Sequence, residues 1–234
     1  MNDGIVMASD SRTNAGLDNV STYKKMFTYV VGDRCIVIVT SGNLSTSQHV
    51  FKTLKNDLDS PNPNLSLNTC KSFDEIADYV GKISWEHSKT DGISFNTHLG
   101  SNFIIGGQIQ GQDPDLMMVY PVGNYIRASE IKPFFQLGET KYGKPILDRL
   151  IRNEISLGDA ARCALVSFDS TMKSDLSVGP PIDLIVYKKN TIKISQEEHL
   201  QFKTPFFSDL SSKWSDGLRN LFKELPKFDW EKDN

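Results

Sequence analysis

The 234-residue chain is long enough to bury a core without covalent staples, and its length favours one compact domain over two small ones. An apolar fraction of 38% with a charged fraction of 24% is ordinary for a globular protein and argues against long disordered tracts. With 26 Lys and Arg against 29 Asp and Glu, the formal charge of -3 offers nucleic acid no basic stripe, and no run approaches the roughly 20 apolar residues of a bilayer-spanning helix.

The predicted elements begin with short apolar, β-branched runs at residues 4–9, 26–31 and 34–40. Gly32-Asp33 separates the last two as a tight turn, so they read as a hairpin. Val50, Phe51, Leu54 and Leu58 then recur at helical spacing, followed by a second helical pattern over residues 73–87; the Ser, Pro and Asn between them read as a loop. Strands resume at residues 102–108, 116–120 and 125–128. Helical patterns follow at 145–151 and 157–168, and strands at 182–187 and 191–195. The last element is a helix over residues 205–225 with a stripe that includes Phe206, Leu210, Trp214, Leu218 and Leu221, docked on the core or on a partner.

Strands in blocks with helix pairs between them predict an α+β chain, two stacked sheets covered by helices in a four-layer αββα sandwich. No repeat or composition break divides it, so residues 1–234 read as a single domain. Cys35, Cys70 and Cys163 are odd in number and scattered, which gives neither a disulfide framework nor a C-x-x-C zinc site. A reducing, cytoplasmic setting is expected, with no metal and no cofactor. His49, His87, His98 and His199 lack metal-ligand spacing and read as surface or packing residues. Gly106, Gly107 and Gly111 fall in a strand and a turn, which is the wrong context for a phosphate loop, and Cys35 reads as core.

Asn2-Asp3-Gly4 is a hairpin-turn signature followed at once by a strand. A turn needs two arms, so a strand of roughly 5 to 7 residues is expected before it; a flexible start is the plainer alternative. Asp10 ends the first strand, Lys24 and Lys25 precede the next long one, and Gly42-Asn43 follow the strand that ends at Thr40. A carboxylate and an amine at strand ends beside a glycine loop can activate a nucleophile. Pattern alone also fits a turn-forming Asp10, solvated lysines and a turn glycine.

The motifs decide between these. ASDSRTNAG at residues 8–16, STYKKM at 21–26 and SGNL at 41–44 resemble the Asp-Ser-Arg turn, the lysine strand and the oxyanion loop of proteasome-type N-terminal-nucleophile hydrolases. Residues 135–144 and 169–179 add further matches, and the chain as a whole resembles Anbu, the bacterial proteasome-related peptidase family. The resemblance implies an N-terminal Thr whose hydroxyl attacks a peptide carbonyl, with its own α-amine as base. Lys25 would favour ionisation of that hydroxyl, Asp10 would fix the lysine, the Gly42 N–H would stabilise the oxyanion, Arg12 would support the charge network and Ser177 would bond near the terminal amine. Lys25 is preferred to Lys24 because it directly precedes Met26. The family's Asp three residues before the serine is replaced here by Ser174, with Asp175 one residue later.

Neither Met1 nor Asn2 can serve as the nucleophile, so the chain as written is expected to be inactive and to need the missing strand. Exposing Ser9 as a new terminus would destroy strand pairing. The resemblance also implies a homo-oligomer, as a ring or an open helix, acting on peptides. The chain has no ATP-binding loop of its own, so any unfolding of substrates would fall to a separate partner. The alternatives are a non-catalytic structural subunit and an amidohydrolase of the same fold acting on small amides.

Overall fold

The computed structural model describes residues 1–14, 20–92 and 100–231. It opens with β1 (Gly4–Asp10), the short β2 (Arg12–Asn14) and β3 (Val20–Thr22), then β4 (Met26–Val31) and β5 (Arg34–Gly42). Asn43 stops β5 and starts α1 (Leu44–Asp59), its side chain accepting the Thr46 N–H at 3.1 Å. The next helix is α2 (Phe73–Gly92), with Asp74 and Glu75 complementing its N-terminal dipole. Strands β6 (Ser101–Ile109), β7 (Asp115–Val119) and β8 (Tyr125–Arg127) complete the middle of the chain. They lead to α3 (Lys144–Leu150) and to α4 (Leu157–Met172), which Ser156 caps by accepting the Asp159 N–H at 3.0 Å. The chain then forms β9 (Ile182–Lys188), β10 (Ile194–Leu200), α5 (Pro205–Lys223) and a 3-10 turn at Asp229–Glu231.

Three apolar clusters separate four layers. Ile36 and Ile38 of β5, with Phe103 and Ile105 of β6, pack under α1 and α2 against Leu54, Ile76 and Val80. The alternate residues Cys35, Val37 and Val39 point the other way, meeting Ile5 and Met7 of β1 and Tyr187 of β9. This period of two makes one strand serve two cores. Beyond the second sheet, Leu184 and Ile182 pack against Leu165 of α4 and Phe207 of α5. The result is the αββα sandwich that the block pattern predicts. Gly107 permits the central pairing: it has φ 147, and a Cβ there would lie 2.0 Å from the Cys35 carbonyl oxygen.

The antiparallel five-stranded sheet runs β4-β5-β6-β7-β8, and the three-stranded sheet runs β1-β9-β10. Two details differ from the sequence reading. The β2–β3 pair, with Arg12 opposite Thr22, is absent from it because three-residue strands carry too little alternation. The final strand begins at Ile194, later than the expected residue 191, and continues to Leu200. Asn190 and Ile192 adopt φ of 66° and 47°, which lengthens the turn. Polar residues 195–199 mask a solvent-facing strand in the sequence. Residues 15 and 16 of the first motif and His98 lie outside the described residues.

Candidate active site

Met1 to Gly4 form a β-turn, closed by the Gly4 N–H donating to the Met1 carbonyl at 3.3 Å. Gly4 has φ 149, and a Cβ there would lie 2.0 Å from the Tyr187 carbonyl oxygen. From this turn β1 runs to Asp10, paired among the described residues with β9 on one side only, Gly4 opposite Lys188 and Asp10 opposite Ile182. Its other edge opens on a cavity of about 490 Å³ that touches every residue from Gly4 to Asp10. Contact with residues of both parities means that the strand's edge, and not one of its faces, borders the space. The opposite walls are residues 133–139, α3 and α4. Ser9 Oγ and Gln136 Oε1, both on the lining, are buried and have no hydrogen-bond partner among the described residues.

Asp10, Lys25 and Ser177 converge at one end of this cavity. Lys25 Nζ donates to Asp10 Oδ1 at 2.8 Å; the two side chains are 22% and 12% exposed, so this is a largely sheltered ion pair. Asp10 Oδ2 accepts the Arg12 N–H at 3.2 Å and the Gly179 N–H at 3.3 Å. Both oxygens are occupied, which fixes the carboxylate and aims the lysine. Lys24 is turned elsewhere, its Nζ 5.3 Å from the Phe27 ring centroid. The Thr40 N–H donates to the Lys25 carbonyl at 3.1 Å, tying the lysine's backbone to β5.

Gly42 ends β5 with φ 122, and a Cβ there would come within 2.8 Å of the Gly100 carbonyl oxygen. It lies one residue beyond Ser41, which lines the cavity; Gly42 and Arg12 are not on the lining themselves. The Arg12 guanidinium donates to the Leu176 carbonyl at 2.7 Å and lies across Gly179, where a Cβ would be 2.4 Å from its Cζ. Asp175 accepts the Ser177 N–H at 2.7 Å, and hydrogen bonding from Ser177, side chain first and backbone second, holds its carboxyl below the usual range. Ser174 instead donates its N–H to the Thr171 carbonyl at 3.0 Å.

Other chemistry-bearing residues stand apart. His49 and His87 stack with ring centroids 4.0 Å apart, and His199 pairs with Asp183. Cys35 is buried, and desolvation pushes its thiol up to about 11, far from a reactive thiolate. Among the described residues no three His, Cys, Asp or Glu side chains form a metal-binding group. None of the described helices is long and apolar enough to cross a membrane.

Comparison with known proteins fits this geometry. A family model described as proteasome subunit matches residues 1–187. The chain belongs to the proteasome subunit family. It is 26% identical over 190 residues to proteasome subunit beta 2 of Pyrobaculum calidifontis, covering 80% of this chain and 85% of that one. Among solved structures, Anbu (ancestral beta-subunit) from Yersinia bercovieri superposes with a TM-score of 0.92 at 36% identity, covering 97% of this chain and 96% of that one. A structure described as the helical assembly of the Anbu complex from Pseudomonas aeruginosa gives a TM-score of 0.90 at 43% identity, covering 97% and 94%. These matches put the chain in the Anbu branch of the proteasome family.

The proteasome motifs pointed to Asp10, Lys25 and Ser177 but gave no role to the backbone that holds them. The Gly179 N–H on Asp10, the Arg12 grip on Leu176 and the wall formed by residues 136–138 emerge only in three dimensions. Gly138 carries a faint sequence signal: its φ of 73° demands glycine, and a Cβ would lie 3.0 Å from Ser41 Oγ.

Proposed function

We propose that this chain is a threonine-type peptidase subunit of a self-assembling, cytoplasmic, proteasome-like hydrolase, whose nucleophile arrives on a strand preceding Met1. The supporting observation is the unpaired edge of β1, with a cavity running along it from the Met1–Gly4 turn to the Asp10–Lys25 pair. An arm paired antiparallel with β1 would use that turn and fill that space. About seven residues at ~3.3 Å each would bring its first residue level with Asp10. A terminal Thr there would lie beside Lys25, with Ser177 on the same wall.

The chemistry follows from the groups at that end. The Thr α-amine takes the hydroxyl proton as the oxygen attacks the peptide carbonyl, and the ammonium later returns a proton to the leaving amine. The Lys25 charge, held by Asp10, stabilises the alkoxide character of the attacking oxygen. The Gly42 N–H serves the oxyanion, Ser177 orients the terminal amine, and Arg12 keeps the Ser177 loop against Asp10. Water then hydrolyses the acyl-enzyme and restores the hydroxyl. The Pseudomonas aeruginosa relative is described as a helical assembly. We extend self-assembly, as a ring or open helix, to this chain.

The test is a chain extended upstream with a Thr-led arm, taken where it exists from the genomic DNA preceding the Met1 codon. An epoxyketone that caps N-terminal threonines should label the extended protein, with the adduct mapped to that Thr by mass spectrometry. Peptides should be cleaved in preference to small amides. Assembly without labelling or cleavage would replace the peptidase reading with that of a structural subunit.

A further inference from the structure

The wall opposite β1 carries a charge that none of the motifs explains. Four carboxylates belong to residues that line the cavity: Asp10, Asp115, Glu130 and Glu139. Lys25 holds Asp10, and Arg127 holds Asp115 at 2.9 Å. Glu130 lies at the turn end, because Asn153 donates to its carbonyl at 3.0 Å and itself accepts the Asn2 N–H at 2.9 Å. Glu139 differs from all three. Its Oε1 accepts the Lys141 N–H at 2.7 Å, and among the described residues its carboxylate forms no ion pair.

The neighbours of Glu139 set it at the Asp10 end of the cavity. On one side Gly138, with its left-handed backbone, brings the wall so close to β5 that a Cβ would lie 3.0 Å from Ser41 Oγ, one residue before Gly42. On the other side Lys141 stands near the Ser177 loop: Asp175, held low first by its hydrogen bonds from Ser177, is lowered further by the Lys141 charge. Glu139 thus spans from the Gly42 loop to the Ser177 loop. The Gln136 side chain donates to its carbonyl at 3.1 Å, so both its backbone and its carboxylate are fixed. A preset, part-sheltered anion beside a cavity favours a cation inside it. The cations already there are engaged elsewhere, Lys25 with Asp10, Arg12 with the Leu176 carbonyl and Lys24 over Phe27.

We propose that Glu139 is the counter-ion of the nucleophile's α-amine and sets how strong a base that amine is. The proposal rests on the peptidase reading for the identity of the cation. A terminal Thr level with Asp10 would carry its amine between the Gly42 and Ser177 loops, where Glu139 meets it. An anion within about 4–6 Å stabilises an ammonium and raises its pKa. The free amine then draws the hydroxyl proton more strongly, and the ammonium keeps that proton until it passes to the leaving amine. The free-amine fraction near neutral pH falls in return. Of the other charges facing this end, Asp10 and Lys25 offset one another, Arg12 and Lys141 oppose the effect and Asp175 adds to it, so the part played by Glu139 is read as a difference between variants.

The test uses the Thr-extended full chain as wild type, Glu139→Gln, Glu139→Ala, Glu139→Asp and Glu130→Gln, with melting temperature as the folding control. Glutamine keeps an oxygen for the Lys141 N–H and removes only the charge. The α-amine is titrated by its rate of acetylation with acetic anhydride across pH, read by mass spectrometry, which needs no catalytic activity. Either uncharged variant should lower the α-amine pKa by about 1 unit, while Glu139→Asp stays nearer to wild type. The acid limb of the peptide-cleavage profile should move down by the same amount, and the rate at high pH should fall about 3–10-fold as the base weakens. Glu130→Gln, at the far end, should change neither. An α-amine that titrates alike in wild type and in the uncharged variants overturns the inference, even in a chain that cleaves peptides. A shifted titration in a chain that cleaves nothing upholds the counter-ion and removes the peptidase reading.

Discussion

The two sheets of this molecule are built from similar strands and finished differently. In the five-stranded sheet β5 is paired on both sides and covered on both faces, and even the polar Gln108 of the neighbouring β6 is engaged, accepting from Tyr187 Oη at 2.6 Å. In the three-stranded sheet β1 is just as apolar but is paired on one edge, with two unpartnered buried side-chain oxygens beside the gap. Buried polar groups and strand edges are costly when unmatched. The first sheet is therefore a finished scaffold, and the second has an open edge beside the Asp10–Lys25 pair, where we propose one more strand.

The sharpest test of that difference is catalytic. In the Thr-extended chain, Lys25→Ala should lower kcat by about 10³-fold, in line with losing a preorganised charge at the reacting oxygen, with melting temperature as the folding control. Retained activity would break the link between the open edge and chemistry. In the finished sheet, Phe103→Ala should cost about 3–5 kcal/mol by urea denaturation, since the buried ring sits at the centre of the α1–α2 core. The same variant should leave active-site labelling of the surviving folded fraction unchanged.

Adding the arm should itself stabilise the open half. Seven cross-strand pairs at ~0.2–1 kcal/mol each amount to about 1–7 kcal/mol, at roughly 2–4 °C in melting temperature for each kcal/mol. No gain on extension would mean that the edge of β1 is not where the arm goes. A smaller effect is expected from Gly179→Ala, which would push the Arg12 guanidinium off its seat. Because that side chain is flexible, stability should barely change while kcat of the extended chain falls about 10-fold, the signature of a positioning defect.

The smallest effect is a pH dependence. Asp175 is held below the usual carboxylate range by Ser177, so its folded pKa is depressed and its contribution is present above the unfolded value. It is lost as pH falls through the depressed folded pKa. Acid should loosen the Ser177 loop in hydrogen-exchange measurements, and Asp175→Asn should flatten that dependence.

Much of this was legible in one dimension, for different reasons in the two halves. Residues 34–40 read as a strand because apolar β-branched residues follow the Gly32-Asp33 turn, and their alternation between two cores was needed only to say which side each faces. α1 and α4 were legible from apolar spacing alone, and Asn43 and Ser156 cap them in the structure. The β2–β3 pair and the polar half of β10 were not legible, since a short or solvent-facing strand leaves no periodic apolar signal. Lys25 is preferred to Lys24 in the sequence only by its place directly before Met26. Only the fold sends one to Asp10 and the other over Phe27.

The sequence by itself determined the layers, the order of the elements and the proteasome family motifs, because turns, caps and apolar period are local and survive in the unfolded chain. Tertiary structure decided what depends on residues far apart. It set Gly179 against Asp10 across 169 positions, closed Arg12 on Leu176 across 164, and left one edge of β1 and half of α5 without cover. Such contacts belong to no local pattern. They exist only once the two sheets have stacked and the helices have been laid over them.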